Sequence, residues 1–414
     1  MIGEILFIAH RIPFPPDRGD KIRSWNIVKR LAQIAPVHIA AFADDAEDMA
    51  HADELAKVAA SCRIILRNRG RAAAALRGLW GGRPLSVELF DYAKMHDYVT
   101  ELLMERPIGA VFAYSSQAAQ YVPKLPPSAR FIMDFVDVDS EKYAAYGQAQ
   151  SGPMAWINRR EGRKLLAFEQ QVAARANMSL LVSEAEAKLF RDLTGLGLNS
   201  IKALENGVDL DYFSPDAVFD ALTVEQRGSG PLFVFTGQMD YRPNIEAVDG
   251  FARSSFVHIR EHYPEARFVI VGRNPTVAVK GLASLPGVQV TGAVSDVRGW
   301  LSAADIVVAP LRLARGVQNK VLEAMAMARP VIASSQAAEG INATAGVHLM
   351  VAKCGADEVA MAIKLLNDRQ AAARMGRAAR QQMEERYSWD ATLAELPAIV
   401  TGAHQPVAER VQVA

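Results

Sequence analysis

The chain has 414 residues, half of them hydrophobic and 22% charged, with 46 Lys and Arg against 46 Asp and Glu and a mean hydropathy of +0.04. That composition excludes a disordered or fibrous chain, and a zero net charge gives no support to a nucleic-acid binder, which carries a basic excess. The length exceeds one ordinary core and predicts two domains of roughly 200 residues each.

Along the chain, short apolar runs rich in Val, Ile and Phe alternate with helical patterns. EILFIA (4–9), VHIAAFA (37–43), RIILR (63–67), GAVFAYS (109–115), RFIMDFV (130–136) and MSLLVS (178–183) form a first series. PLFVFTG (231–237), ARFVIVG (266–272), VQVTG (288–292), DIVVAPL (305–311), PVIASS (330–335) and HLMVA (348–352) form a second. Near-continuous apolar strands separated by helices predict parallel sheets covered on both faces. Two series predict two doubly wound α/β domains, joined near LENGVDLDYFSPDA (204–217) and RGSGP (227–231), where Gly and Pro punctuate the pattern. The expected division is 1–205 for the acceptor side, 206–385 for the donor side, a C-terminal helix over 386–400 that returns to the first domain, and a loose tail over 401–414.

Cys62 and Cys354 form no metal-spaced pair and read as thiols of a reducing compartment. The apolar run 5–9 is too short for a signal segment and is followed by His10-Arg11. No run of about 18 apolar residues occurs, so a cytoplasmic location is expected.

Ligands of open parallel sheets sit at the carboxyl ends of strands, so the loops there hold the candidate site. In ARGVQNKVLEAMAMARPVIA (314–333), positions 317, 321, 324, 325 and 328 fall on one face of a helix beginning near Gly316. Gly316, Asn319, Lys320 and Glu323 fall together on another. Gly316 permits close approach of a ligand to the backbone, and the free N–H groups of a helix start attract phosphate. Lys320 adds a cation one turn in. Glu323 lies about 10 Å along the axis, where its carboxylate can accept hydroxyl hydrogen bonds from a ribose. The competing reading is an amphipathic helix whose Lys320 and Glu323 make an i,i+3 surface pair.

This segment resembles the signature helix of retaining glycosyltransferases of family 4, whose GT-B fold places two facing Rossmann-like domains around an interdomain cleft. ENGVDLDYFSP (205–215), FTGQMDYRPNIEAV (235–248), IVGRNP (270–275), VTGAVSDVRGWLSAADIVVAPL (290–311) and RPVIASS (329–335) match in order. HRIPFPPDRGDKIRSWNIVKRLA (10–32) and DFVDVDSEKY (134–143) resemble sugar transferases of PEP-CTERM/exosortase exopolysaccharide loci most closely. The resemblance implies a hexosyltransferase-type enzyme that moves a sugar from a nucleotide-sugar donor to a lipid-linked or glycan acceptor with retention of configuration. It assigns the stretch Arg315, Gly316, Val317, Gln318, Asn319, Lys320 to the donor, with Glu323 on the ribose and also counted among the catalytic residues. The family carries a Glu eight residues before Glu323, where this chain has Arg315; an arginine there suits the diphosphate, helped by Arg312.

By the same resemblance Gly19, in PPDRGDKIR (15–23) with Asp17, Arg18 and Asp20, admits donor diphosphate and acceptor, and Lys21 and Arg23 are candidates for a phosphate on the acceptor. Asp137 and Asp139 follow strand 130–136 where the family carries a histidine, a slot Val136 occupies. An aspartate there orients the acceptor hydroxyl, takes its proton or stabilises positive charge at the sugar carbon; the alternative is that both cap the next helix. His10 is a further candidate. In the second domain Gly237, Arg242 and Asn244 are assigned to the diphosphate, Arg273 to the region of the base, and Glu339-Gly340 to a pocket rim.

Apart from Asp137 and Asp139, no DxD-type pair stands at a suitable strand end, so positive residues are expected in place of a metal, with no cofactor besides the donor substrate. The basic stretches 63–84, with Leu76, Leu79 and Trp80, and 156–168 suit peripheral contact with an anionic inner membrane. A nucleotide-sugar 2-epimerase and a non-catalytic nucleotide-sugar-binding scaffold remain the competing functions.

Overall fold

The computed structural model describes residues 2–16, 18–67, 82–314 and 317–403. The chain divides into two compact units, Met1–Glu205 with Leu393–Ala414, and Asn206–Thr392. In the first, seven strands form an all-parallel sheet: β1 (Glu4–Ala9), β2 (Val37–Ala43), β3 (Ser61–Leu66), β4 (Ile108–Tyr114), β5 (Arg130–Val136), β6 (Met178–Leu181) and β7 (Ile201–Ala203). Their order is β3-β2-β1-β4-β5-β6-β7. The second has β8 (Leu232–Thr236), β9 (Arg267–Val271), β10 (Val288–Gly292), β11 (Ile306–Ala309), β12 (Val331–Ser334) and β13 (Met350–Ala352), ordered β10-β9-β8-β11-β12-β13 and again parallel.

Burial explains why these runs are strands. Every residue of β2 and β8 is buried, as helices covering both faces require, so the sequence reads as continuous apolar runs without alternation. In the second unit Phe233 of β8 and Phe268 of β9 meet Phe251 and Phe256 from the helices after β8. Truncating one such ring to alanine costs about 3–5 kcal/mol.

All twelve apolar runs form strands at the expected places. The sequence reading missed β7, because IKA is three residues long and carries Lys202. The signature helix starts at Asn319, with Gln318 as its N-cap, and ends at Ala326, three residues later than the apolar spacing suggested. Of the expected face, Val321, Ala324 and Met325 are buried on the helix, whereas Val317 precedes it and Ala328 lies beyond its end with φ 53°.

The predicted helix over 386–400 is two short helices, Trp389–Thr392 and Leu396–Thr401. The crossing point lies at Leu393 rather than 386. Residues 387–389 are fixed in the second unit: Tyr387 is buried and its hydroxyl accepts from Asn342 N, Ser388 bridges Val208, and Trp389 lies against Gly207. The helix Leu396–Thr401 packs on β5 and on helix Gly19–Ala32. Residues 404–414 of the expected tail lie outside the described residues.

Candidate functional site

Two clusters stand at strand carboxyl ends, one in each unit. In the second unit the chain leaves β8 at Gly237, whose N–H donates to Val271 O at 3.0 Å. A Cβ on Gly272, which follows β9, would lie 1.6 Å from the Gly237 carbonyl oxygen, so the two loops touch backbone to backbone. A Cβ on Gly237 would lie 2.8 Å from Asn244 Nδ2 and 3.5 Å from Lys320 Nζ. Glycine at 237 and 272 is what allows this convergence.

Asn244 belongs to the first turn of helix Arg242–Arg253, which Pro243 opens. The residue is 5% exposed. Its Nδ2 donates to Gln238 O at 2.8 Å, and its Oδ1 accepts from Lys320 Nζ at 2.5 Å. The ammonium also stands 4.6 Å from the Phe235 ring centre, a cation–π contact. Burial pulls Lys320 down to about 8, partly opposed by Glu323, and pushes Glu323 up to about 7, partly opposed by Lys320. No hydrogen bond or ion pair holds the Glu323 carboxylate among the described residues. The Asn319 Oδ1 is likewise buried without a partner. A cation and a carboxyl that both approach neutrality at ordinary pH, one helical turn apart, form a polar surface lacking its complement.

Gly237, Asn244, Lys320 and Glu323 therefore come together. Val317 is 8% exposed and packs in the hydrophobic core, so its side chain is spent on packing. Arg242 is 71% exposed and pairs with Glu246 at 2.7 Å on the outer face of its helix. Arg273 is exposed, and its carbonyl accepts from Met239 N. Glu339 and Gly340 are exposed, Gly340 lying 3.8 Å from Val317 through an added Cβ. Arg315 and Gly316 lie outside the described residues. A separate cavity of about 310 Å³, lined by Gly250, Arg312, Ser334, Lys353, Gly355 and Glu358 among others, opens at the ends of β11–β13 and includes none of the clustered residues.

In the first unit, Val136 at the end of β5 has φ 70°, a left-handed conformation that is rare for a β-branched residue. Three buried carboxyl groups hold the loop that follows. Asp134 Oδ1 accepts from Val136 N at 3.0 Å, Glu186 Oε2 from Val138 N at 2.8 Å, and Glu169 Oε2 from Ser140 Oγ at 2.6 Å. With alternate residues tied inward, Asp137 and Asp139 share one partner: Lys142 Nζ donates to Asp137 Oδ2 at 2.7 Å and to Asp139 Oδ1 at 3.0 Å. Burial works against the Lys142 charge, yet Asp139 and Asp137 hold its pKa well above the ordinary lysine value. Burial raises Asp139 in spite of Lys142. Neither aspartate caps the helix Asp139–Ala149, whose N-cap is Val138 without a side-chain bond.

The loop after β1 differs from expectation. Lys21 Nζ binds Asp48 Oδ1 at 2.7 Å, and Arg23 binds Asp134 at 2.9–3.0 Å with both side chains essentially unexposed. These cations face inward because a buried charge needs a partner, and neither is presented to an acceptor phosphate. Asp20 is clasped by Arg11 and by Arg18, the latter at 2.8 Å. Gly19 opens its helix in an exposed position. Burial lowers His10 to about 4, so it is a neutral ring stacked on Tyr114. Asp17 lies outside the described residues.

Sequence reasoning missed Lys142, Glu169 and Glu186. A signal existed for two of them. Ser183 with Glu186 three residues on is a capping pattern, and Glu169 stands at helical spacing between the apolar positions Leu165 and Val172.

Residues 230–368, which contain the whole second cluster, match the family described as Glycosyl transferases group 1. This stretch is a glycosyltransferase domain. Among solved structures the chain is similar to HepE of Anabaena in complex with UDP-glucose, at 14% identity over 97% of this chain and 100% of that one, with a TM-score of 0.67. It is similar to sucrose-phosphate synthase of Thermosynechococcus elongatus at 16% identity, covering 95% and 97%, TM-score 0.66. WaaG, a glycosyltransferase involved in lipopolysaccharide biosynthesis, follows at 14% identity, covering 96% and 100%, TM-score 0.64. No curated protein matches the chain. These likenesses give the chain the GT-B fold. Among its described residues no helix is long and apolar enough to cross a membrane.

Proposed function

We propose that this glycosyltransferase moves a sugar from a nucleoside-diphosphate sugar to a lipid-linked or glycan acceptor in exopolysaccharide synthesis, with retention of configuration. The observation that carries the donor assignment is the Lys320 ammonium held on Asn244 beside Gly237. A diphosphate brought to that ammonium supplies the counter-charge the pocket lacks and holds Lys320 in its charged state. As the bond from the anomeric carbon to the diphosphate oxygen breaks, negative charge grows on the leaving phosphate. A fixed cation in a partly dehydrated site stabilises that charge. Glu323, once ionised, accepts hydroxyl hydrogen bonds from the ribose. Asn319, with its orphaned Oδ1, is a second acceptor in the same first turn.

On the acceptor side, Asp137 and Asp139 orient the incoming hydroxyl, and one of them takes its proton as the new carbon–oxygen bond forms. HepE was solved with UDP and with UDP-glucose, which makes a uridine donor the first to test. Retention rests on the resemblance of 314–333, and the exopolysaccharide setting on that of 10–32 and 134–143. Contact with an anionic membrane is supported by exposed Trp156 and Met154 beside the exposed Arg159, Arg163 and Lys164 on helix Gly152–Arg175. The basic stretch 68–81 lies outside the described residues.

The test is a thermal-shift and calorimetric screen of UDP-, GDP- and ADP-sugars against the wild type, Lys320→Ala and Glu323→Ala. One nucleotide class is expected to bind the wild type, and each variant to bind it about tenfold more weakly or worse. Equal binding by all three proteins overturns the donor site. Epimer formation from donor alone, with no acceptor, overturns transfer as the reaction.

A further inference from the structure

The helix Gly152–Arg175 carries a carboxyl group that the proposed reaction does not use. Glu169 is 0% exposed, and no cation stands within ion-pair distance of it among the described residues. Its two oxygens reach different loops. Oε2 accepts from Ser140 Oγ at 2.6 Å, and Ser140 directly follows Asp139. Oε1 is hydrogen-bonded to Ser116 Oγ at 3.2 Å, in the turn after β4 next to Ser115, which has φ 72°. Ser115 N in turn donates to Asp134 O at 2.8 Å. A residue of positive φ thus follows β4 directly and another ends the adjacent β5, and one buried carboxyl joins the turns beyond them.

Of the charged groups near Glu169, Asp139 alone acts on it strongly. Helix Asp139–Ala149 offers Asp139, which repels it, and Lys142, committed to Asp137 and Asp139. The turn Ser116–Tyr121 offers hydroxyls and apolar groups. On its own helix, Arg175 is committed to the carbonyls of Val122 and Ala119, and Glu161 to Leu85 and Ser86. A carboxylate with no counter-ion in such a place is costly, and the group avoids that cost by keeping its proton.

We infer that Glu169 is a positioning residue that ties the Asp137–Asp139 loop to the turn after β4, and that it does so as an uncharged carboxylic acid. Protonated on Oε1, it donates to Ser116 Oγ while Oε2 still accepts from Ser140, so both loops are held by hydrogen bonds without a net charge. Ionisation leaves both serine hydroxyls able to donate but sets an uncompensated buried negative charge beside Asp139, which loosens the anchor. Burial raises Glu169 to about 8 from an ordinary 4.5. Between those values the native state holds a proton that the unfolded chain has lost, so stability declines as pH rises through that window. The functional meaning of the anchor rests on the reading of Asp137 and Asp139 given above.

Hydrogen exchange of the full chain tests this without donor or acceptor. After correction for the intrinsic rate, protection of the 136–143 amides in the wild type is expected to fall about tenfold from about pH 7 to about pH 9. In Glu169→Gln, which keeps a donor and an acceptor at every pH, the fall is expected to stay under about threefold. Glu169→Ala is expected to lose the protection already at about pH 7 while β4 and β5 stay protected. Ser140→Ala, a milder change that keeps the core filled, is expected to lower protection at about pH 7. The same pH-dependent loss in Glu169→Gln as in the wild type overturns the proposal, as does full protection of the loop in Ser140→Ala. Transfer assays on Asp137→Asn and Asp139→Asn separate the two readings. Unchanged turnover removes the aspartates from the chemistry, while the exchange result alone decides whether Glu169 anchors their loop.

Discussion

The Lys320 ammonium lies 2.5 Å from the Asn244 side-chain oxygen, although 76 residues separate them in the chain. One residue opens a helix after β8 and the other a helix after β11, and these strands are neighbours in the sheet. The contact holds a cation at the strand ends without neutralising it, since an amide oxygen is a dipole and not a counter-ion.

Replacing that dipole separates holding from charge. Asn244→Ala removes an acceptor for a charged donor and a bond to Gln238 O. It is expected to weaken UDP binding by about 1.5–3 kcal/mol, measured by calorimetry. Asn244→Asp is expected to weaken it as well, because a carboxylate neutralises Lys320 and repels the diphosphate. Tighter UDP binding by the aspartate variant contradicts the assignment.

The pH dependence of UDP affinity follows from the two shifted groups. Lys320 is lowered to about 8, so its charge, and with it the affinity, is lost as pH rises through 8. Glu323 is raised to about 7, so its acceptor capacity for the ribose is lost as pH falls through 7. Affinity is expected to peak between these values, with the alkaline limb absent in Lys320→Ala and the acid limb absent in Glu323→Gln. The stability signs are separate. Glu323 makes the fold less stable as pH rises from 4.5 to about 7, and Lys320 makes it more stable as pH rises from about 8 to 10.5.

The two converging glycines are expected to differ in effect. Gly272→Ala drives a Cβ into the Gly237 carbonyl oxygen, a backbone clash that costs roughly 2–3 kcal/mol and several degrees of Tm. Gly237→Ala meets the flexible end of Asn244 and the Lys320 ammonium instead. It is expected to lower Tm less and UDP affinity more. Thermal unfolding with and without UDP distinguishes the two.

The Arg23–Asp134 pair, at 1% and 0% side-chain exposure, is expected to be costly to break. Asp134→Asn leaves the guanidinium buried without its counter-ion, a loss of about 3–5 kcal/mol in urea unfolding. It also weakens the clasp on Val136 N. Replacing both partners, as Arg23→Met with Asp134→Leu, is expected to recover much of the stability without restoring transfer. A single variant as stable as the wild type would show that the pair is dispensable.

Legibility of the site differed by unit. Gly237, Asn244, Lys320 and Glu323 were readable because helical spacing and strand ends place them at the start of elements, where backbone geometry leaves little choice of direction. Lys21 and Arg23 were misread as ligand-facing. A helix places them at its start, but only the acids that arrive on β5 and near β2, Asp134 and Asp48, turn them inward. Arg242 and Arg273 are both exposed, and the Arg242 guanidinium is paired with Glu246 on its own helix, which the sequence spacing did not anticipate.

By itself the sequence determined the two parallel sheets, their strands and the buried face of the signature helix, because apolar periodicity is a local property that burial on both faces imposes directly. Tertiary structure alone decided which charges meet. Asp137 and Asp139 look like a pair in the sequence, but it is Asp134, Glu169 and Glu186, drawn from a strand and two later helices, that fix the loop and leave both aspartates on Lys142. Pairing of buried polar groups depends on distances between segments far apart in the chain, which spacing along one segment cannot encode.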